Sequence, residues 1–170
     1  MADRRLTRFA LTAWLPALCV ALFLGTGCET PLPEEAPETL AVEIAGETFD
    51  LELALDRESQ TQGLSDRTSI SLDGGMLFAF PEARPRQFVM RRCFTPIDLI
   101  FLSPSCRVVA MHAMPVEDDP HKPEDQLTRY PSRYPAQYAI ELAGGSIERL
   151  GVRLGEEIPL PQEALKRWSE

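Results

Sequence analysis

Apolar residues in this chain recur at every second position in short runs cut by turn formers, a period that confines most of it to half-buried strands. Val42 and Ile44 alternate with polar neighbours, Gly46-Glu47 can turn, and Phe49, Leu51, Leu53 and Leu55 resume the alternation, so a hairpin is expected here. Met76-Leu77-Phe78-Ala79-Phe80 is apolar throughout, as in a strand covered on both faces. Pro81 and Pro85 bound a predicted turn, and a strand is expected near Gln87 to Arg91. After a break at Thr95-Pro96, Ile97 to Leu102 and Arg107 to Ala113 form a second hairpin across Ser103-Pro104-Ser105. Tyr138 to Leu142 and the edge segment Ile158-Pro159-Leu160 complete the strands.

Helical signals are few. Asp56 is suited to cap a two-turn helix through Gln62 that stops at Gly63. Ser146 to Leu150 reads as a helical turn and Gln162 to Trp168 as a short terminal helix. Pro115 to Pro135 has no period and reads as a long loop, a length at which loops are commonly functional or covering segments. The fold class is therefore mainly β: a single β-sandwich or partly closed barrel of about seven short strands with two small helices.

The first 27 residues stand apart. Arg4, Arg5 and Arg8 precede an uncharged apolar run from Phe9 to Leu24 that Pro16 interrupts, followed by Gly25, Thr26, Gly27 and Cys28. That is the layout of an export signal, and the run is short of the ~20 residues of a membrane span. Leu24-Gly25-Thr26-Gly27-Cys28 resembles a bacterial lipobox, with Cys28 as the lipidated residue and Gly25 where a larger aliphatic is usual. Residues 28–39 form a Pro- and Glu-rich spacer, residues 40–161 the domain, and residues 162–170 a tail or short helix. Ten spacer residues at ~3.1 Å each would hold the domain roughly 30 Å from the anchor. The expected location is thus the periplasm-facing cell envelope. The net charge of −9 disfavours nucleic acid as a partner, since such a surface repels phosphates.

The stretch from Phe88 to Leu102 sets Arg91, Arg92, Cys93 and Asp98 among apolar residues. Alternation places Asp98 on one face with Ile100 and Leu102. A carboxylate there needs a partner or a proton. It is either a buried acceptor tying down a neighbouring loop or a candidate catalytic acid or base. Arg84, Arg86, Arg91 and Arg92, with Arg67 if its loop folds over the same end, suit an anion, or simply pair with the surplus of Asp and Glu. Cys93 and Cys106 are expected to stay unpaired, because the hairpin would separate them by ~20 Å against a Cα limit of ~7 Å. Met111, His112, Met114 and His121 match no defined metal-ligand spacing, and no cofactor motif is found. Tyr130, Tyr134 and Tyr138 read as a packed loop or a pocket wall.

Several of these residues occur together in order: Gly63-Leu64, Arg67, Gly75-Met76-Leu77-Phe78-Phe80, Phe88-Met90-Arg91, Pro96-Asp98-Ile100-Phe101, Tyr130-Ser132-Pro135 and Glu141-Leu142-Gly144. The set resembles the bacterial and archaeal family called domain of unknown function 192 over Val42 to Leu160. The resemblance implies a small, mainly β, often exported domain with no established activity. Where the family motif commonly reads Phe-Trp-Met-Lys-Asn-Thr, this chain has Val89, Arg91, Arg92 and Cys93 for the tryptophan, lysine, asparagine and threonine, and Ser65 replaces a methionine upstream. A tryptophan stacking platform is therefore absent. The reading that follows is an envelope lipoprotein whose domain binds a small anionic or polyhydroxylated ligand at Arg67, Arg91, Arg92 and Asp98. A hydrolase using Asp98 as acid or base, and a soft-metal carrier through His112, are the alternatives.

Overall fold

Residues 34–119 and 121–169 are described by a computed structural model. The expected export signal, Cys28 and the first part of the expected spacer lie outside these residues.

The hairpin at the start of the domain joins β1 (Thr39–Ile44) to β2 (Glu47–Ala54) through Ala45 and Gly46, both at positive φ, which pairs Ile44 with Glu47. Helix α1 (Arg57–Gln62) follows, with Asp56 and Ser59 capping each other reciprocally and Gly63 ending it at φ 53°. It carries the chain over to β3 (Gly74–Arg84), which pairs parallel with β2. Then come β4 (Gln87–Phe88), β5 (Ile97–Leu102), β6 (Val108–Met114), β7 (Tyr130–Pro131), β8 (Ala136–Ala143), α2 (Ser146–Leu150) and α3 (Gln162–Ser169).

Six strands make one mixed sheet in the order β1-β2-β3-β8-β5-β6, and β4 pairs with β7 as a separate ribbon. β1 and β6 are its two ends, so hydrogen bonding does not close it into a barrel. Both faces are covered. On one, Val42, Ile44, Phe49, Leu51, Leu77, Ile100, Leu102, Ile140 and Leu142 pack with Val152, Ile158 and Leu165 from the C-terminal segment. On the other, Phe78, Phe80, Leu99, Phe101 and Ala139 lie under Leu64, Met90 and Cys93. The β4-β7 ribbon covers this second face, since Phe88 meets Phe78 and Phe101 edge-on at 5.0 and 5.3 Å. Cys93 and Cys106 fall in opposite cores and are free thiols.

The fold is mainly β, as the alternation requires, and it departs from the expected elements in several places. β3 does not stop at Pro81. It runs to Arg84 by bulging, so that residues 80–83 lie between the pairs Ala79–Tyr138 and Arg84–Ala136. The strand expected from Gln87 to Arg91 is only Gln87–Phe88, because the chain turns at Arg91-Arg92, with Arg92 at φ 51°, to carry Cys93 into the core. Ile158 to Leu160 forms no strand; only the bridge Arg107–Glu157 forms there. The three α-helices fall at the three places where helical signals were read, one more than the two small helices of the expected fold class.

Candidate functional site

Along β8 the side chains alternate, Tyr138, Ile140 and Leu142 into one core and Ala139 and Glu141 towards the other. Glu141 is thus a carboxyl on an apolar face, flanked across the sheet by buried Met76 and Leu99. It is 5% exposed. One oxygen, Oε2, accepts the Leu64 N–H at 3.2 Å. Burial pushes the carboxyl up to about 7, against the opposing pull of the Leu64 N–H and the Arg67 guanidinium. Gly63 makes room for it, since a Cβ there would sit 3.2 Å from Oε2.

A cleft of about 400 Å³ opens above this carboxyl. One wall is α1 and its exit, with Arg57, Gln60 and Thr61; another is aromatic, with Phe78, Phe80 and Phe88; Arg86, Arg91, Cys93 and Glu124 complete it. Gln60 fixes α1 against the sheet by donating to Ala79 O at 2.9 Å. Arg91 spans from the 3₁₀ turn Glu124–Gln126 to α1, pairing with Glu124 at 3.4 Å and donating to Thr61 O. The Cys93 thiol is pushed up to about 11, chiefly by burial and next by Glu141, so it stays protonated and is no nucleophile at neutral pH.

The residues singled out from sequence do not converge. Asp98 and Arg91 serve different places. Asp98 is 2% exposed in the opposite core and accepts the Ile147 N–H at 2.7 Å. Helix α2 has Gly145 at its N-cap, which offers no side chain, so Asp98 reaches across from β5 to satisfy a first-turn amide. Asp98→Ala is expected to cost about 1–3 kcal/mol by leaving that amide unpaired. Asp98→Asn, which keeps an acceptor oxygen, should lose less; urea melts of both variants check this.

Arg67 binds Glu52 through both terminal nitrogens, at 2.5 and 2.6 Å, which holds the Glu52 carboxyl low and the guanidinium high. Arg92 pairs with Asp66 at 2.7 Å, and Asp66 N–H donates back to Arg92 O, pinning two loops. Both arginines are thus engaged by carboxylates. His112 bonds Pro131 O at 2.8 Å and meets Phe101 and Tyr130 ring to ring, which fastens the β4-β7 ribbon.

Glu141 is the site residue that sequence reasoning missed, and Arg86 was read only as one member of an arginine cluster. The signal for Glu141 was the one used for Asp98: a carboxylate in phase with apolar residues on a strand. The clustering of Arg84, Arg86, Arg91 and Arg92 was the signal for Arg86, but it does not single Arg86 out, because what distinguishes it is stacking on Phe80 without a salt bridge to a carboxylate among the described residues.

Comparison with known structures finds two relatives of the same fold. A Sinorhizobium meliloti protein described as a candidate transcription regulator is 31% identical, with a TM-score of 0.59, covering 76% of this chain and 97% of its own. A Novosphingobium aromaticivorans protein of unknown function is 28% identical, with a TM-score of 0.64, covering 78% of this chain and 95% of its own. No match is found among curated proteins. The model of domain of unknown function 192, described as an uncharacterized ACR, matches residues 40–160, from the first buried residue of β1 to the loop before α3, and the chain belongs to that family.

Proposed function

We propose that the protein is a non-catalytic binding domain displayed on the cell envelope, and that the cleft above Glu141 receives a small anionic or polyhydroxylated ligand. Residues 1–27 would be the removed signal and Cys28 the lipid-bearing anchor, with the domain facing the periplasm. The observation that carries the binding reading is the charge of the cleft. In a chain of net charge −9, three arginines, Arg57, Arg86 and Arg91, line one opening with only Glu124 and the buried Glu141 against them. The aromatic wall supplies the apolar area that small-ligand sites use, and the volume lies within their usual range.

Of Arg67, Arg91, Arg92 and Asp98, Arg91 lines this cleft, while Asp98, Arg67 and Arg92 support the frame around it. A hydrolase reading would have to move the acid–base role from Asp98 to Glu141. The high-lying Cys93 thiol offers it no nucleophile. A regulatory role of the kind named for the Sinorhizobium meliloti protein, if exercised through DNA, would need a basic face that the acidic composition does not favour.

Amide NMR of the full chain in detergent, titrated with a mixture of sugars, sugar acids, acetate and phosphate, tests the reading. Shifts confined to Leu64, Gln87, Phe88 and their neighbours are expected. Arg91→Ala should weaken the response ~10-fold or more, the scale of one charge-assisted hydrogen bond. No response at these amides overturns the cleft as a binding site for such ligands. Mass analysis of the membrane-extracted protein tests the anchor, and an unmodified Cys28 overturns it.

A further inference from the structure

Arg86 differs from the other arginines of the cleft region in what holds it. Its guanidinium lies over the Phe80 ring at 3.6 Å, its Nε donates to Ala136 O at 3.4 Å and its Nη2 to Glu82 O at 2.6 Å. These contacts fix the group without neutralising it, and Nη1 makes no hydrogen bond among the described residues. Burial, followed by the neighbouring Arg84, lowers its pKa to about 10 against the opposing pull of the Glu82 charge, so it remains charged at neutral pH without a direct salt bridge among the described residues. A fixed, half-buried fork with free donors matches a carboxylate in shape and charge.

The floor of the same cleft offers the complementary chemistry. Glu141 Oε2 is taken by the Leu64 N–H, while Oε1 has no partner among the described residues and is not sealed from the cleft. It can accept from a hydroxyl when ionised and donate to one when protonated. Phe78 and Phe88, edge to face at 5.0 Å, add carbon surface to the lining of the same cleft. Two negative charges already line the site, in Glu124 and, when ionised, Glu141, and they oppose a second charge on the ligand.

Resting on the cleft-binding reading above, we propose that the ligand combines both chemistries in one molecule: a small monoanionic hydroxy acid of the sugar-acid class, its carboxylate on Arg86 and a hydroxyl on Glu141. The apolar face of its ring lies against Phe78 and Phe88. Phosphate esters and neutral sugars each match only part of this site.

Calorimetry on the full chain in detergent with glucuronate, galacturonate, glucose, acetate and phosphate decides it. One of the two uronates is expected to bind at least ~10-fold more tightly than glucose, acetate or phosphate, since each of the three loses one of the two polar contacts. Arg86→Gln should bring uronate and glucose to similar affinity. Arg86→Lys, which keeps the charge and loses the fork, should fall between, and it serves if the glutamine variant does not fold. Glucose or phosphate binding as tightly as both uronates overturns the sugar-acid assignment and leaves the cleft reading standing. Silence from all five overturns both.

Discussion

Gly75→Ala is expected to leave little folded protein. A Cβ at residue 75 would lie 2.2 Å from the Glu141 carbonyl oxygen, 3.0 Å from Leu142 Cδ2 and 3.1 Å from Leu51 Cδ2. None of these can give way cheaply. The oxygen belongs to β8, Leu51 is paired with Gly75 on β2 and Leu142 on β8, and β3 is clamped between those two strands. Relief requires β3 and β8 to separate, which breaks the hydrogen bonds at the centre of the sheet and opens the core around Leu77 and Ile140. A loss above about 4 kcal/mol follows, a large part of the ~5–15 kcal/mol that holds a domain of this kind. Gly155→Ala is the control, because its Cβ would meet nothing within 4 Å and only its φ of 79° opposes the change, at about 1 kcal/mol. Soluble yield and thermal circular dichroism separate the two. A Gly75→Ala protein melting within a few degrees of the parent would refute the close approach of β3 and β8, and with it the position given to Glu141.

That dependence of the site on a strand contact shows why the fold was more legible than the cleft. Period-two alternation is local, and it marked β5 at its actual bounds and assigned Ile97, Leu99 and Phe101 to one core and Ile100 and Leu102 to the other. Helix α1 was legible for the same reason, since Asp56, Ser59 and Gly63 write its ends within eight residues. The cleft is assembled from distant parts of the chain. The Leu64 to Glu141 hydrogen bond joins residues 77 apart, and it exists only because β8 inserts between β3 and β5. Alternation shows that Asp98 and Glu141 are each in phase with apolar neighbours. It does not say which face meets a helix end in need of an acceptor and which meets an open cleft. The cation cluster left two readings open in the same way, and Arg67 and Arg92 take the pairing one: they find carboxylates on Glu52 and Asp66, segments that no local pattern connects to them.

Glu141→Gln is expected to stabilise the protein at pH 8 and to change little at pH 5. Folding lifts this carboxyl from its ordinary 4.5 to about 7, so the folded state holds its proton more tightly than the unfolded chain. Its contribution is therefore fully present below about pH 4.5, falls as the pH rises towards 7, and is constant above. At 1.36 kcal/mol per pH unit the loss amounts to roughly 3 kcal/mol. Carboxylates whose pKa values folding lowers, Glu52 by its bond to Arg67 and Asp56 by the Ser59 amide, act with the opposite sign. Their contribution is lost only as the pH falls through the carboxylate range and is complete by pH 5–6. The window from pH 5 to 8 thus isolates Glu141 among the shifted carboxyls, and subtracting variant from parent removes what the two proteins share. Glutamine keeps an oxygen to accept the Leu64 N–H and carries no charge to bury, so urea midpoints of parent and variant should converge at pH 5 and separate at pH 8 in the variant's favour. Glu141→Ala should show no such gain, because it leaves the Leu64 amide without its acceptor and a cavity beside Met76 and Leu99. A difference between parent and glutamine variant that is the same at both pH values would mean that Glu141 is ionised throughout in the folded protein. The cleft floor would then be a fixed anion, able to accept from a ligand's hydroxyl but not to donate.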